Sequence, residues 1–131
     1  MPPDFSDAHP TVAEFRSLRA AAGLSSFSDE ATRISLRNSL YAVWLRDEGE
    51  LVAMGRLIGD GGTFAQVTDI AVHPRLQRQG WGDRIITQLM AWADAQLPSG
   101  CYISLIADPG AERLYAKHGF ERRTGMARRL E

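Results

Sequence analysis

A single cysteine, Cys101, stands in 131 residues, so no internal disulfide can form and the chain suits a reducing compartment. No apolar run approaches the roughly twenty residues that a membrane-spanning helix needs. The opening Met-Pro-Pro-Asp-Phe-Ser-Asp lacks both the basic and the apolar regions of a signal peptide. These absences lead to the expectation of a cytoplasmic protein with no membrane partner. The three histidines, His9, His73 and His118, lack metal-ligand spacing, and no metal is expected. Nothing resembles the concentrated basic patch of a nucleic-acid binder. Internal repeats and low-complexity tracts are absent too.

What remains has ordinary globular proportions: 44% hydrophobic and 24% charged, enough for one domain spanning 1–131 and not for two. The net charge of −1 hides an asymmetry. Residues 1–70 hold ten Asp and Glu against six Arg, whereas 71–131 hold six against nine Arg and Lys. The second half is therefore the one suited to an anionic ligand. The acidic first half points weakly to a cationic one.

Local patterns divide the chain. Residues 1–10 are polar, with three prolines, and suit an extended arm or a short first strand. Thr11 with Glu14 forms a capping-box pattern ahead of Val12, Phe15 and Leu18, and Gly23 ends that helix. Ser28-Asp29-Glu30 opens a second helix over about 29–39, with Ala31 and Ile34 expected inward. Tyr41–Arg46 and Glu50–Ile58 read as strands joined by Asp47-Glu48-Gly49. Gly59-Asp60-Gly61-Gly62 turns into a long strand, 63–72. A helix over 80–97 follows, with Ile85, Ile86, Leu89, Met90, Ala93 and Leu97 at helical spacing. Beyond Pro98-Ser99-Gly100, Cys101–Ala107 reads as a buried strand and Pro109–His118 as a short helix closed by Gly119. Phe120–Ala127 reads as a final strand or extended segment. The result is an α/β (α+β) order, a mixed sheet with helices on its faces.

Between the 63–72 strand and the 80–97 helix lies Gln77-Arg78-Gln79-Gly80-Trp81-Gly82. A strand that turns through glycines into a helix presents free amides and the positive end of the helix dipole, a site for phosphate or pyrophosphate. Gly80 and Gly82 allow the backbone to approach the anion without a Cβ in the way. Arg75 and Arg78 add charge near the phosphates or are solvated loop charges. Asp83, at the helix start, suits the dipole but repels phosphate, and is expected to point away. A dinucleotide-binding Gly-x-Gly-x-x-Gly is excluded, because Ile85 stands where its third glycine belongs.

Taken together these residues resemble the GNAT superfamily of acyl-CoA-dependent N-acetyltransferases. That family's motif reads Gln/Arg-x-x-Gly-x-Gly/Ala between a central strand and a helix. Gln77, Gly80 and Gly82 fill it, after the lead-in Ala71-Val72-His73-Pro74. A second motif, small-x-x-x-Tyr-x-x-x-Gly-Phe, matches Ala111, Tyr115 and Gly119-Phe120. The resemblance is specific over about 51–120 and loose over 1–50.

The resemblance implies a mostly antiparallel sheet, splayed between its middle strands and flanked by about four helices. It also implies acetyl-CoA as co-substrate and direct transfer of the acetyl group to a primary amine within a ternary complex. The amides of about 78–83, including Gln79, Trp81 and Asp83, would wrap the pyrophosphate. A bulged strand at Ile70, Ala71 and Val72 would supply the N–H that polarises the thioester carbonyl. The gap beside Ile103–Ala107 would admit the pantetheine arm. Tyr115 occupies the place of the general acid that protonates the leaving thiolate; the alternative is that it packs beneath the sheet with Leu114.

The general base is less defined. Gln66 stands where some relatives carry a glutamate, fourteen residues before Gly80, and cannot take a proton. Asp69 and Asp60 are the nearby carboxylates. Asp69 is a base, an orienter of water or amine, or a hydrogen-bonding residue that holds the bulge. Release of the proton to water is the remaining option. His73, His118 and Cys101 have structural readings, and Tyr41 and Trp44 either line an acceptor pocket or pack.

The expected acceptor is a small cationic amine, with a protein or peptide amine as the alternative. A catalytically weak acyl-CoA sensor is the competing class. Homodimerisation is a family expectation only.

Overall fold

The computed structural model describes residues 2–131. Its elements are β1 (Asp4–Ser6), α1 (Val12–Ala21), α2 (Asp29–Arg37), β2 (Tyr41–Asp47), β3 (Glu50–Gly59) and β4 (Phe64–Val72). A short 3-10 turn (Pro74–Leu76) leads to α3 (Trp81–Gln96), β5 (Tyr102–Ser104) and α4 (Glu112–Ala116). The five strands lie in the order β1-β2-β3-β4-β5, antiparallel up to β4 and parallel between β4 and β5. This is the mixed, mostly antiparallel sheet with four helices that the sequence indicates.

Strand alternation sends side chains to two cores, one on each face. Val43, Leu45, Val52, Ala53 and Leu57 pack with Ile85, Ile86, Leu89 and Ala93 of α3. Trp44, Met54 and Ala71 face the other way, onto Phe15 and Leu18 of α1. The α1 start is closed by the reciprocal Thr11–Glu14 box, and Ser28 accepts from the Ala31 amide at the start of α2. Tyr41 stacks on Trp92 at 5.2 Å and Trp44 meets Phe15 edge-on, so both aromatics pack.

Several local expectations are revised. In α2 the buried residue is Thr32, while Ala31 and Ile34 are exposed. The rotation follows from Arg56, which donates from below to Ser35 O and Ser39 Oγ. The strand read over 101–107 pairs only at Tyr102–Ser104. Residues 120–127 form no strand, so the splay lies between β4 and β5, the last strand of the sheet among the described residues.

Candidate active site

The site is built on an irregularity in β4. Arg56 pairs with Thr68 and Met54 with Ala71, so Asp69 and Ile70 together oppose the single residue Gly55. Asp69 takes φ +57°, the left-handed region that Asp and Asn tolerate best after glycine. A Cβ at Gly55 would lie 2.5 Å from Ile85 Cγ2 and 2.7 Å from Ile70 Cδ1. Glycine is thus required where the bulge presses Ile70 toward α3.

Three buried charges hold this bulge. The Asp69 carboxylate accepts from Arg56 Nε at 2.7 Å on one oxygen and from Arg19 NH1 on the other. All three side chains are at most 9% exposed. Arg19 also donates through Nε and NH2 to Ser25 O, in the loop joining α1 and α2. A charge taken out of water is tolerated only when paired and hydrogen-bonded, and each member of this cluster is. The cluster ties both N-terminal helices to the centre of β4.

Sequence reasoning named Asp69 but missed Arg19 and Arg56. Two signals were available. Arg56 interrupts the apolar run Leu51–Ile58, and Arg19 follows Phe15 by four residues on the inward face of α1. A charge on a buried face requires a buried counter-charge.

Beyond the bulge β4 has a free edge. It pairs with β5 only at Phe64, Ala65 and Gln66. The His73 amide donates across to Val52 O on the β3 side. Successive strand amides point to opposite edges, so the N–H groups of Val72 and Ile70 face away from β3, into the gap that β5 leaves. Ala71 points its amide to β3 and its side chain into the core. Gln66 sits at the last paired position, at the mouth of the gap.

At the end of this edge the chain turns into α3. Gln77 donates from Nε2 to Val72 O at 3.0 Å, pinning the turn to the strand, and Gln79 reaches toward Arg75 O. Arg78 and Gly80 both adopt positive φ, +65° and +86°. Gly80 offers no side-chain cap, and the first helical bond comes from the Arg84 amide. The amides of Trp81, Gly82 and Asp83 therefore have no partner within the helix, which fits an anion such as a pyrophosphate. Trp81 turns aside, beneath the Arg84 guanidinium at 4.3 Å and edge-on to Phe5.

Other expected residues serve differently. Arg75 is engaged by Asp47 and Glu50 at the β2–β3 turn, not by the loop. Arg78 makes no ion pair among the described residues and is the nearer cation. His73 accepts from the Arg75 amide and caps the 3-10 turn. Asp60 binds its own turn, accepting from the amides of Gly62, Thr63 and Phe64, and these bonds hold its carboxyl at about 2. Gly82 lies beside Leu114 of α4: a Cβ added at Gly82 would meet Leu114 Cδ2 at 3.4 Å, an ordinary van der Waals contact. Asp83 points to α4, where His118 Nε2 donates to it at 2.8 Å.

Through these contacts α4 docks on the first turn of α3 and brings Tyr115 to the same end of the sheet. Tyr115 is half-buried, edge-on to Phe120 at 6.2 Å. Burial, and next the negative charge of Asp108, push its phenol above the ordinary value of 10.0. It is a protonated donor at any physiological pH.

The model of the Acetyltransferase (GNAT) family matches residues 8–120. The chain belongs to this family. The GNAT fold extends to a Staphylococcus aureus protein described as a probable acetyltransferase. That protein is 37% identical, with a TM-score of 0.93, over 98% of this chain and all of its own. Serotonin N-acetyltransferase 2, chloroplastic, of rice is 33% identical over 77% of this chain and 52% of its own length. The ribosomal-protein-S18-alanine N-acetyltransferase of Escherichia coli shares the fold at 20% identity, with a TM-score of 0.76 over 94% of this chain and 80% of its own. This GNAT chain spans about half the length of the curated relatives it matches. No helix among the described residues is long and apolar enough to cross a membrane.

Proposed function

We propose that this protein moves the acetyl group of acetyl-CoA to the primary amine of a small molecule by direct attack within a ternary complex. The observation that carries the reading is the continuity of two sets of free amides. Those of Ile70 and Val72 on the unpaired edge of β4 run into those of Trp81, Gly82 and Asp83 at the uncapped start of α3. Bound acetyl-CoA supplies the activated thioester. The amides at the start of α3, with Arg78, hold its pyrophosphate. The free edge of β4 holds the pantetheine arm and places an N–H against the thioester carbonyl, where preorganised donors lower the barrier most. Tyr115 delivers a proton to the departing sulfur.

No dedicated carboxylate base is assigned. Asp69 has both oxygens engaged by guanidinium groups, Asp60 is bound into its turn, and Gln66 carries no charge. We assign Asp69 to holding the bulge, with the amine proton leaving to water. The same observation favours one second reading, an acyl-CoA sensor with weak turnover.

The acceptor class rests on the printed activity of the rice relative and not on charge. Part of the first half's acidic surplus is met from the second half, because Asp47 and Glu50 both pair with Arg75. We therefore favour a small amine that is cationic at neutral pH, of the arylethylamine kind. The single free cysteine supports a reducing, cytoplasmic setting.

Calorimetric titration with CoA, followed by thiol release from acetyl-CoA with serotonin, tryptamine, spermidine and a peptide N-terminus, tests the reading. Micromolar CoA binding with turnover on a small amine supports it. Binding without turnover on every amine supports the sensor, and absence of CoA binding refutes both.

A further inference from the structure

Asp83 is out of keeping with its surroundings. It occupies the third position of α3, in the turn whose free amides and dipole favour an anion. A carboxylate at that helical position is also the one that folds back onto the N-cap amide in a capping box. Here the N-cap is Gly80, which has no side chain to compete for the turn's amides. A free Asp83 carboxylate would thus be both an internal competitor for the amides and a like charge beside a bound pyrophosphate.

The structure directs it elsewhere. Asp83 Oδ1 accepts from His118 Nε2 at 2.8 Å, and Lys117 Nζ stands 3.8 Å from the same oxygen. His118 is 16% exposed at the end of α4, and Asp83 is 43% exposed. The His118 bond, ahead of the Lys117 charge, holds the Asp83 carboxyl below the ordinary carboxylate range. The side chain accordingly stays ionised, and its direction is decided by its partner. Lys117 is the only lysine in the chain. Both partners come from one turn, two and three residues after Tyr115.

We propose that His118, with Lys117 in support, is a positioning residue that draws the Asp83 carboxylate onto α4 and so keeps the α3 amides clear for the pyrophosphate of the acyl-CoA donor. The inference rests on the donor-site reading above and adds to it the residue that clears the site. Neither residue touches the reacting atoms.

The discriminating experiment compares His118→Ala, Asp83→Asn and the double variant, with acetyl-CoA and with S-acetylpantetheine, which has no phosphate. In His118→Ala the KM for acetyl-CoA is expected to rise about threefold to tenfold, with kcat nearly constant, because a released like charge acts on binding alone. The KM for S-acetylpantetheine should not move. Adding Asp83→Asn should return the KM for acetyl-CoA to within about twofold of the starting value. If His118→Ala does not fold, His118→Gln and its double variant are read in the same way.

An unchanged KM in the single His118 variant, or a raised KM that Asp83→Asn fails to rescue, overturns the proposal. So does an equal loss with S-acetylpantetheine, which marks a mere tether of α4. Wild-type protein that does not bind CoA refutes the donor site itself, a result separate from these.

Discussion

Replacing Asp69 by Asn separates a structural carboxylate from a catalytic one. Asparagine tolerates the left-handed conformation at φ +57° about as well as aspartate, so the bulge backbone is not newly strained. What changes is charge. Arg19 and Arg56, each under 10% exposed, lose the one carboxylate that pairs with them among the described residues, and the amide NH2 that replaces one of its two engaged oxygens is a donor facing a guanidinium donor. Breaking a buried pair by removing one partner costs about 3–5 kcal/mol. At about 3–5 °C per kcal/mol for a chain of this size, Tm should fall by about 10–20 °C. Thermal unfolding followed by circular dichroism measures this, alongside kcat as a function of pH well below the lowered Tm. A positioning role preserves the shape of the pH profile. The reasoning is refuted if Tm falls by less than about 3 °C while kcat drops a hundredfold and the profile loses its ascending limb. That pattern belongs to a free general base.

Gly55→Ala places a methyl 2.5 Å from Ile85 Cγ2, which the α3 backbone holds in place, and should destabilise by about 1–3 kcal/mol. Urea midpoints read the loss, and an unchanged midpoint would show that the bulge is not tightly packed. Tyr115→Phe should lower kcat by about a hundredfold with CoA affinity kept within about twofold. Because burial raises the Tyr115 phenol, wild-type kcat should show no descending limb below about pH 10; a limb near pH 8 would remove Tyr115 as the acid. Asp60, held at about 2, has a native value below its unfolded one near 3.9. Its contribution to stability is complete above about pH 4 and is lost as pH falls toward 2. Asp60→Asn should flatten that acid-side loss of the urea midpoint.

The elements most legible in the sequence are those whose signals are local. The α3 helix, read over 80–97 and found at Trp81–Gln96, carries its own apolar stripe and a glycine start. The Thr11–Glu14 box announces α1 within four residues. The β5 strand was overdrawn, because an apolar run says nothing about where a neighbouring strand diverges. Residues 120–127 carry extended character but find no strand to pair with. Within the candidate site, the turn into α3 announces itself through its glycines, whereas Tyr115 is singled out only through the family resemblance. The partners of Asp69 lie 50 and 13 residues away, and that of Asp83 lies 35 away, across tertiary contacts that no window of sequence contains. Arg75 stays open between a phosphate-side charge and a solvated one for the same reason: its carboxylate partners are 25 and 28 residues upstream.

The early departure of β5 has a consequence for the protein in storage. A strand interior without a neighbour is a template on which another chain can align, and natural sheets usually blunt such rows with lysine, proline or a covering loop. The row from Val67 to Val72 contains neither lysine nor proline, and its only irregularity is the Asp69 bulge. Material held without CoA should therefore self-associate faster than material held with it, as light scattering over days would record. Donor supply would then govern the colloidal lifetime of the protein as well as its turnover.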